Sequence, residues 1–137
     1  MPGRRLAGKM RLKPGLRAAV INAPKTYLKE LAPLPPRVRI TKNLRGSFDW
    51  VQIFVKSKAE LDRLAPRALR SLKQESLLWV SFPKGTSKIQ TDLTRDKGWD
   101  IIQKAEVKWV TLISIHETWS AFSLRPFRTI EKRQSAL

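Results

Sequence analysis

Hydrophobic and polar positions follow one another along this chain in blocks that predict alternating strands and helices. Four short apolar or alternating runs predict strands, at 16–22, 37–41, 48–55 and 76–82. Between the last two strands, Ser57 and Glu60 have the spacing of a helix-capping box, and leucines recur behind them at helical intervals up to Leu72. Shorter helices are predicted over 23–33 and over 97–105, the second capped by Asp96 or Thr94.

The end of the chain carries a different pattern. Two further strands, 108–115 and 118–125, are separated only by His116 and Glu117, and so short a connection requires an antiparallel hairpin. Earlier in the chain strands alternate with helices, which predicts a parallel sheet covered on both faces. The predicted fold is therefore an α/β three-layer sandwich of about six strands, mostly parallel, with a C-terminal antiparallel hairpin.

Length and composition are those of one domain. The chain has 137 residues, 42% of them hydrophobic, with five tryptophans and five phenylalanines to build a core. We expect a flexible basic arm over 1–14, the folded domain over 15–126 and a polar tail over 127–137. The chain has no cysteine and one histidine, which excludes disulfides and thiol chemistry and argues against a metal site.

The charge balance is the most unusual feature of the composition. Lys and Arg number 28 against 11 acidic residues, for a formal net charge of +17 and a pI near 11.2. Such a charge favours nucleic acid or nucleotide partners, although a basic surface without a bound ligand is the alternative. No secretory signal or membrane-spanning run is evident, so we expect a cytoplasmic protein that does not bind membranes.

Candidate ligand-binding residues come from the predicted topology. In open α/β sheets ligands bind beyond the carboxyl ends of the parallel strands. Each such end carries a lysine, and the long polar loop 83–99 follows the most hydrophobic strand, so the loop is expected to overhang a basic crevice. The candidates are Asn22, Lys25, Lys42, Lys84, Ser87, Lys88, Asp92 and Arg95. The alternative is that these lysines only meet water.

Three loop side chains have alternative roles. Asp92 is either an acid/base or metal ligand, or a structural residue that caps a local helix or pairs with Arg95. Trp99 is either a lid that stacks on a base or part of the core. His116, in the turn of the predicted hairpin, is either an exposed turn residue, the interpretation favoured here, or a catalytic residue.

Several segments resemble a shortened methyltransferase domain of the Rossmann-like class. They are "LKPGLRAAVIN" (12–22), "FDWVQIFV" (48–55), the helix and strand of 64–82, and the terminal hairpin. The resemblance implies that same fold with one strand–helix unit missing. Two departures argue against S-adenosylmethionine as a ligand, and no cofactor is predicted. The turn "NAPK" after the first strand has no glycine, and Thr41 and Lys42 stand where that family has a ribose-binding acid.

The chain resembles a second family more closely. Short bacterial proteins of unknown function share the run Pro83-Lys84, Ser87-Lys88, Thr91 to Asp96 and Gly98-Trp99, followed later by Thr118 to Ser120. This resemblance brings no established activity with it.

These features leave three hypotheses for function. The first, favoured here, is a non-enzymatic domain that binds an anionic nucleotide, phosphate or nucleic acid in the crevice. The second is a small methyltransferase-like transferase with Asp92 as its acid/base. The third is a degenerate scaffold that binds protein partners, or a second copy of itself, through an exposed sheet edge.

Overall fold

The computed structural model describes residues 6–89, 91–115 and 117–127, and within them the chain forms six strands and four helices. In chain order the elements are α1 (Leu6–Lys9), β1 (Arg17–Ile21), α2 (Tyr27–Leu31), β2 (Arg39–Thr41), β3 (Phe48–Phe54), α3 (Lys58–Arg70), β4 (Leu72–Pro83), α4 (Asp100–Gln103), β5 (Val107–Ser114) and β6 (Trp119–Pro126). His116 and most of the predicted tail lie outside the described residues.

The strands form one mixed sheet in the order β2-β1-β3-β4-β6-β5. Strands β2, β1, β3 and β4 are parallel, while β6 is antiparallel to both of its neighbours, β4 and β5. The predicted Rossmann-like α/β fold, with its mostly parallel sheet and terminal antiparallel hairpin, is confirmed. Among the described residues, no helix combines the length and the apolar character needed to cross a lipid bilayer.

Each face of the sheet has its own hydrophobic core. Successive side chains of a strand point to opposite faces, so β3 sends Val51 and Ile53 toward α3 and α4, and Trp50 and Phe54 toward α1 and α2. Burial of nearly every β3 residue fits its central position in the sheet.

The N-terminal segment differs from the predicted flexible arm. Residues 1–5 lie outside the described residues, but Met10 and Leu12 are buried in the second core. The Met10 carbonyl oxygen accepts hydrogen bonds of 2.9 Å from the indole nitrogens of both Trp50 and Trp79. These contacts join residues 40 and 69 positions apart, which is why local composition did not reveal them.

Several predicted element boundaries are also wrong. Helix α2 begins at Tyr27 instead of near Pro24, and α4 is a single turn preceded by Trp99, which makes no side-chain cap bond. Strand β4 begins at Leu72, four residues earlier than predicted, because Ser76 Oγ donates to the carbonyl oxygen of Phe48 (2.6 Å) and holds the early part of β4 beside β3. Tertiary pairing there overrides the local helical pattern.

Candidate functional site

The carboxyl ends of β1, β2, β3 and β4 lie along one rim of the sheet, because these strands are parallel. We call it the carboxyl rim. It carries the turn 22–25, Lys42, the start of α3 and the loop 84–99. This is the rim where ligands bind in open α/β sheets.

The turn after β1 is built around Asn22. Its backbone is left-handed, with φ of 64°, a conformation that asparagine adopts more readily than most residues other than glycine. Its side-chain nitrogen Nδ2 donates hydrogen bonds to the carbonyl oxygen of Phe54 (2.9 Å) and to Oε2 of Glu60 (3.1 Å). Asn22 therefore ties the end of β1 to the end of β3 and to the start of α3.

Two cavities flank this turn, and residues 22–25 form a wall of both. The first, about 320 Å³, lies toward β2 and is also lined by Val20, Leu28 and Lys42. The second, about 470 Å³, is completed by Lys56, Glu60, Ile89 and Trp119. We refer to the two cavities together as the crevice.

The predicted capping box is present at the start of α3. Ser57 Oγ accepts a hydrogen bond from the backbone nitrogen of Glu60 (3.1 Å), and Glu60 Oε1 accepts one from the backbone nitrogen of Lys56 (2.6 Å). Since Oε2 of Glu60 accepts from Asn22, both carboxylate oxygens are held in place at the wall of the second cavity. Glu60 is the acidic side chain among the described residues that line this cavity.

Asp92 belongs to the same helix terminus. Its Oδ1 accepts a hydrogen bond of 2.9 Å from the backbone nitrogen of Lys58, in the first turn of α3. A carboxylate is favoured there because the first backbone N–H groups of a helix have no partner within the helix. Asp92 therefore caps α3 and not its own loop, and within the described residues the ion pair of Arg95 is with Asp96. Nearby, the hydrogen bond and charge of Asp62 raise the pKa of Lys58.

The loop 84–99 is held down by its apolar side chains. Leu93 and Trp99 are buried, with 0% and 3% of their surface exposed. Trp99 packs edge-on against Phe82 and Phe122 at centroid distances of 5.2 Å, and its Nε1 donates to the carbonyl oxygen of Thr94 (2.6 Å). Trp99 is therefore a core residue, and its buried ring cannot act as the stacking lid offered as the alternative.

The structure brings together only some of the predicted ligand-binding residues. Asn22, Lys25 and Lys42 line the first cavity. Lys84 and Arg95 line a different cavity of about 350 Å³, near Leu112 at the other side of the rim. The remaining candidates, Ser87, Lys88 and Asp92, are not part of either group: Ser87 donates to the Lys84 carbonyl, Lys88 is exposed, and Asp92 caps α3.

Several residues that line the crevice were not among the predicted ligand-binding residues, including Glu60, Lys56 and Ile89. Glu60 was assigned only to the capping box, although the same box places its carboxylate beside Asn22. Lys56 and Ile89 line the second cavity and carried no motif of their own. Within the described residues, no group of three or more His, Cys, Asp or Glu side chains is arranged to bind a metal ion.

Comparison with known proteins shows likeness of fold. No protein-family model matches the chain, and no curated protein matches it. Among solved structures, the complex of DhpI with SAH aligns with a TM-score of 0.61 at 7% identity, over 89% of this chain and 82% of that one. The mitomycin 7-O-methyltransferase MmcR aligns with a TM-score of 0.64 at 9% identity; 82% of this chain is covered, but it spans only 49% of MmcR.

A third likeness covers nearly the whole of both chains. An S-adenosylmethionine-dependent methyltransferase from Clostridium acetobutylicum ATCC 824 aligns with a TM-score of 0.52 at 6% identity, over 89% of this chain and 88% of that one. At such identities these likenesses establish a methyltransferase-type fold.

These likenesses contradict two predictions made from the sequence. The favoured function, a non-catalytic domain for an anionic ligand, is wrong, since the findings favour the methyltransferase-like alternative. The exclusion of S-adenosylmethionine is wrong as well, because neighbours of this fold carry or use that cofactor or SAH. The exclusion treated a glycine after β1 as a requirement, whereas Asn22 supplies the left-handed conformation without one.

Proposed function

We propose that this protein binds S-adenosylmethionine in the crevice and acts as a small methyltransferase-type transferase. The observation that carries the proposal is the left-handed turn at Asn22, with a cavity on each side, at the carboxyl end of the first strand of a methyltransferase-type sheet. When bound, the cofactor supplies an electrophilic methyl group, and the protein supplies binding and orientation.

The residues of the crevice fit the amino-acid half of the cofactor. Glu60 offers a fixed carboxylate for its ammonium group, and Lys25 and Lys56 offer cations for its carboxylate. The left-handed turn leaves room on both sides of the backbone for a ligand to cross it.

The ribose half of the cofactor depends on the end of β2. Thr41 Oγ1 donates to the carbonyl oxygen of Asn43 (3.0 Å), and Lys42 follows it, so no carboxylate stands at the end of β2 to accept bonds from the ribose hydroxyls. A hydrogen bond to a charged group contributes about 1.5–3 kcal/mol. We therefore expect affinity roughly 10- to 100-fold weaker than in a methyltransferase that has this acid.

Calorimetry with S-adenosylmethionine and with SAH tests the proposal directly. We expect both to bind the unmodified protein. The variant Asn22→Val should lose at least about tenfold in affinity, because a β-branched residue in the left-handed conformation costs about 1–2 kcal/mol or more and shifts the turn. The matched variant Asn22→Gly loses the same side-chain hydrogen bonds to Phe54 and Glu60 but keeps that conformation available, so its loss of affinity should stay within about threefold.

Absence of binding at millimolar cofactor would contradict the proposal. So would equal loss in both variants, since that would point to the side-chain bonds of Asn22 and not to the turn conformation. Thermal unfolding of each variant with and without cofactor separates weakened binding from weakened folding.

We further propose that the run that resembles the short bacterial proteins of unknown function has a structural role, because it attaches the loop after β4 to α3. Asp92 caps the helix, and Leu93 and Trp99 enter the core. Gly98 has φ of 96°, and a Cβ there would lie 2.9 Å from Leu93 Cδ1 and 3.0 Å from the Asp92 carbonyl oxygen. Each of these positions thus has a packing or hydrogen-bonding reason for its residue type.

A further inference from the structure

The opposite rim of the sheet is strongly basic. We call it the amino rim: it is formed by the starts of β1 to β5, the end of β6 and the segments leading into them. In the described part of the chain its basic residues are Arg11, Lys13, Arg17, Arg37, Arg39, Arg45, Arg70, Lys73, Lys104, Lys108 and Arg125. Its acidic residues are Asp49, Glu75 and Glu106.

The carboxyl rim has a much more even balance. Its described basic residues are Lys9, Lys25, Lys42, Lys56, Lys58, Arg63, Lys84, Lys88, Arg95 and Lys97. Its described acidic residues are Glu60, Asp62, Asp92, Asp96, Asp100 and Glu117. The positive excess of the domain is therefore concentrated on the rim that lies away from the crevice.

Several cations of the amino rim are available to a ligand. Arg11, Lys13, Arg39 and Arg45 are exposed, and their side chains form no ion pair with an acidic residue in the described part of the chain. In contrast, the Arg17 guanidinium is engaged: it donates to the Arg45 carbonyl oxygen (3.0 Å) and lies 4.6 Å from the centroid of the Phe48 ring.

A groove of about 520 Å³ runs along this rim, lined on its charged side by Arg11, Lys13, Lys73 and Arg125. Of the two carboxylates that line it, Asp49 forms an ion pair with Lys73, so these two charges offset each other. It accepts from the Arg17 backbone nitrogen (2.9 Å) and from Lys73 Nζ (3.0 Å), and the first of these bonds chiefly holds the pKa of Asp49 below its usual value. Glu75 is exposed and is the one unfavourable charge in the groove for an anion among the described residues.

We propose that the amino rim binds the phosphate backbone of a nucleic acid duplex. Six strands about 4.8 Å apart give a rim about 24 Å long, which faces roughly seven base-pair steps of about 3.4 Å. Cations on such a surface displace the counterions of the duplex, so affinity arises without contacts to the bases.

This site is separate from the proposed cofactor crevice. The five residues of β1 separate the two rims by about 17 Å. A duplex bound to the amino rim therefore does not reach the crevice. The inference does not depend on S-adenosylmethionine binding, and either proposal can fail alone.

A salt titration of binding to duplex RNA and to duplex DNA tests the inference. The rim variant Arg11→Gln, Lys13→Gln, Arg39→Gln, Arg45→Gln removes four of the available cations. The control variant Lys84→Gln, Lys88→Gln, Arg95→Gln, Lys97→Gln removes the same charge from the opposite loop. Since each lost phosphate contact lowers the slope of log K against log salt by about 0.9, the rim variant should lose about 3 to 4 in slope. The control should keep the slope of the unmodified protein.

Equal losses of slope in the two variants would overturn the inference. They would show that the duplex is attracted by the net charge of the protein and not by a particular site. Failure of the unmodified protein to bind either duplex would overturn it too. So would a protein that binds vesicles of phosphatidylcholine and phosphatidylserine through the amino rim but binds neither duplex. RNA and DNA should bind within about tenfold of each other, since the backbone is the common feature.

A single substitution tests the same groove in case the fourfold variant fails to fold. Glu75→Gln removes the repulsive carboxylate from the groove and should tighten duplex binding by about two- to fivefold at low salt. Unchanged or weaker binding in this variant would count against the groove. Calorimetry with S-adenosylmethionine on every variant keeps the two proposals distinguishable.

Discussion

The two rims of the sheet use charge in different ways. On the carboxyl rim, acidic residues have defined backbone partners: Glu60 binds Lys56 N and Asp92 binds Lys58 N. On the amino rim, Arg11, Lys13 and Arg39 extend into solvent. A net charge of +17 therefore does not indicate where on the surface the basic residues gather.

The direction of the helices explains much of this difference. In a parallel sheet with crossover helices, the helices begin at the carboxyl rim and end at the amino rim. Unpaired N–H groups and a partial positive charge at helix starts favour carboxylates, as at α3, whereas helix ends favour cations such as Arg67 and Arg70. Acidic side chains are therefore more favourable on the carboxyl rim, where the crevice lies.

The largest expected effect comes from breaking the anchor of the amino rim. The double variant Trp50→Phe, Trp79→Phe removes both donors to the buried Met10 carbonyl and should lower the free energy of unfolding by about 3–5 kcal/mol. Each single variant should cost less than half of this, because the carbonyl keeps one donor. Urea unfolding measures all three values.

The same double variant also tests whether the amino rim binds the duplex. Releasing residues 6–12 detaches Arg11 and Lys13 without changing the net charge, so the salt slope of duplex binding should fall by about 2. Trp109→Phe, on the exposed edge strand β5, is the control and should leave the slope unchanged. The explanation by a shared acceptor would be wrong if the losses of unfolding free energy in the two single tryptophan variants summed to the loss in the double variant.

An intermediate effect is expected at the end of β2. Lys42→Asp places a carboxylate where a ribose-binding acid is missing, and should tighten S-adenosylmethionine binding by about tenfold, or about 1.4 kcal/mol. Lys88→Asp changes the charge equally in the loop and should have little effect. Calorimetry measures the affinity of both variants. If both bind S-adenosylmethionine more tightly by similar factors, the gain comes from general attraction of a cationic ligand and not from a ribose contact.

The smallest effect distinguishes a cap from a catalyst. Asp92→Ala removes the acceptor for the Lys58 backbone nitrogen and should cost about 1 kcal/mol of stability while leaving cofactor binding unchanged. Asp96→Ala removes only an exposed ion pair with Arg95, 3.5 Å long, and should be nearly neutral. If methyl transfer were lost in Asp92→Ala with stability intact, Asp92 would instead be an acid/base.

Much of the fold was predictable because its signals are local. The strand predicted at 48–55, the Ser57–Glu60 box and the antiparallel pairing of the last two strands each depend on residues close in sequence. The structure has a strand at Phe48–Phe54, the box and the hairpin, although β5 ends at Ser114 and β6 begins at Trp119, so the connection is longer than the two residues predicted. The candidate site was only partly predictable. Asn22, Lys25 and Lys42 share a cavity because they follow adjacent parallel strands, whereas Lys84 and Arg95 are carried to another cavity by a loop whose path depends on Leu93 and Trp99.

The alternation of strands and helices, the strand directions and the strand ends that form the carboxyl rim could all be predicted from the sequence. Hydrophobic periodicity and short connections depend on neighbouring residues, so they can be read along the chain. Three features could not be predicted without the tertiary structure: Met10 anchors a basic segment, Asp92 caps a helix that begins 34 positions earlier, and Arg11 and Lys13 line the groove of the amino rim. Those outcomes depend on contacts between distant segments, which form only when the sheet brings its strands together.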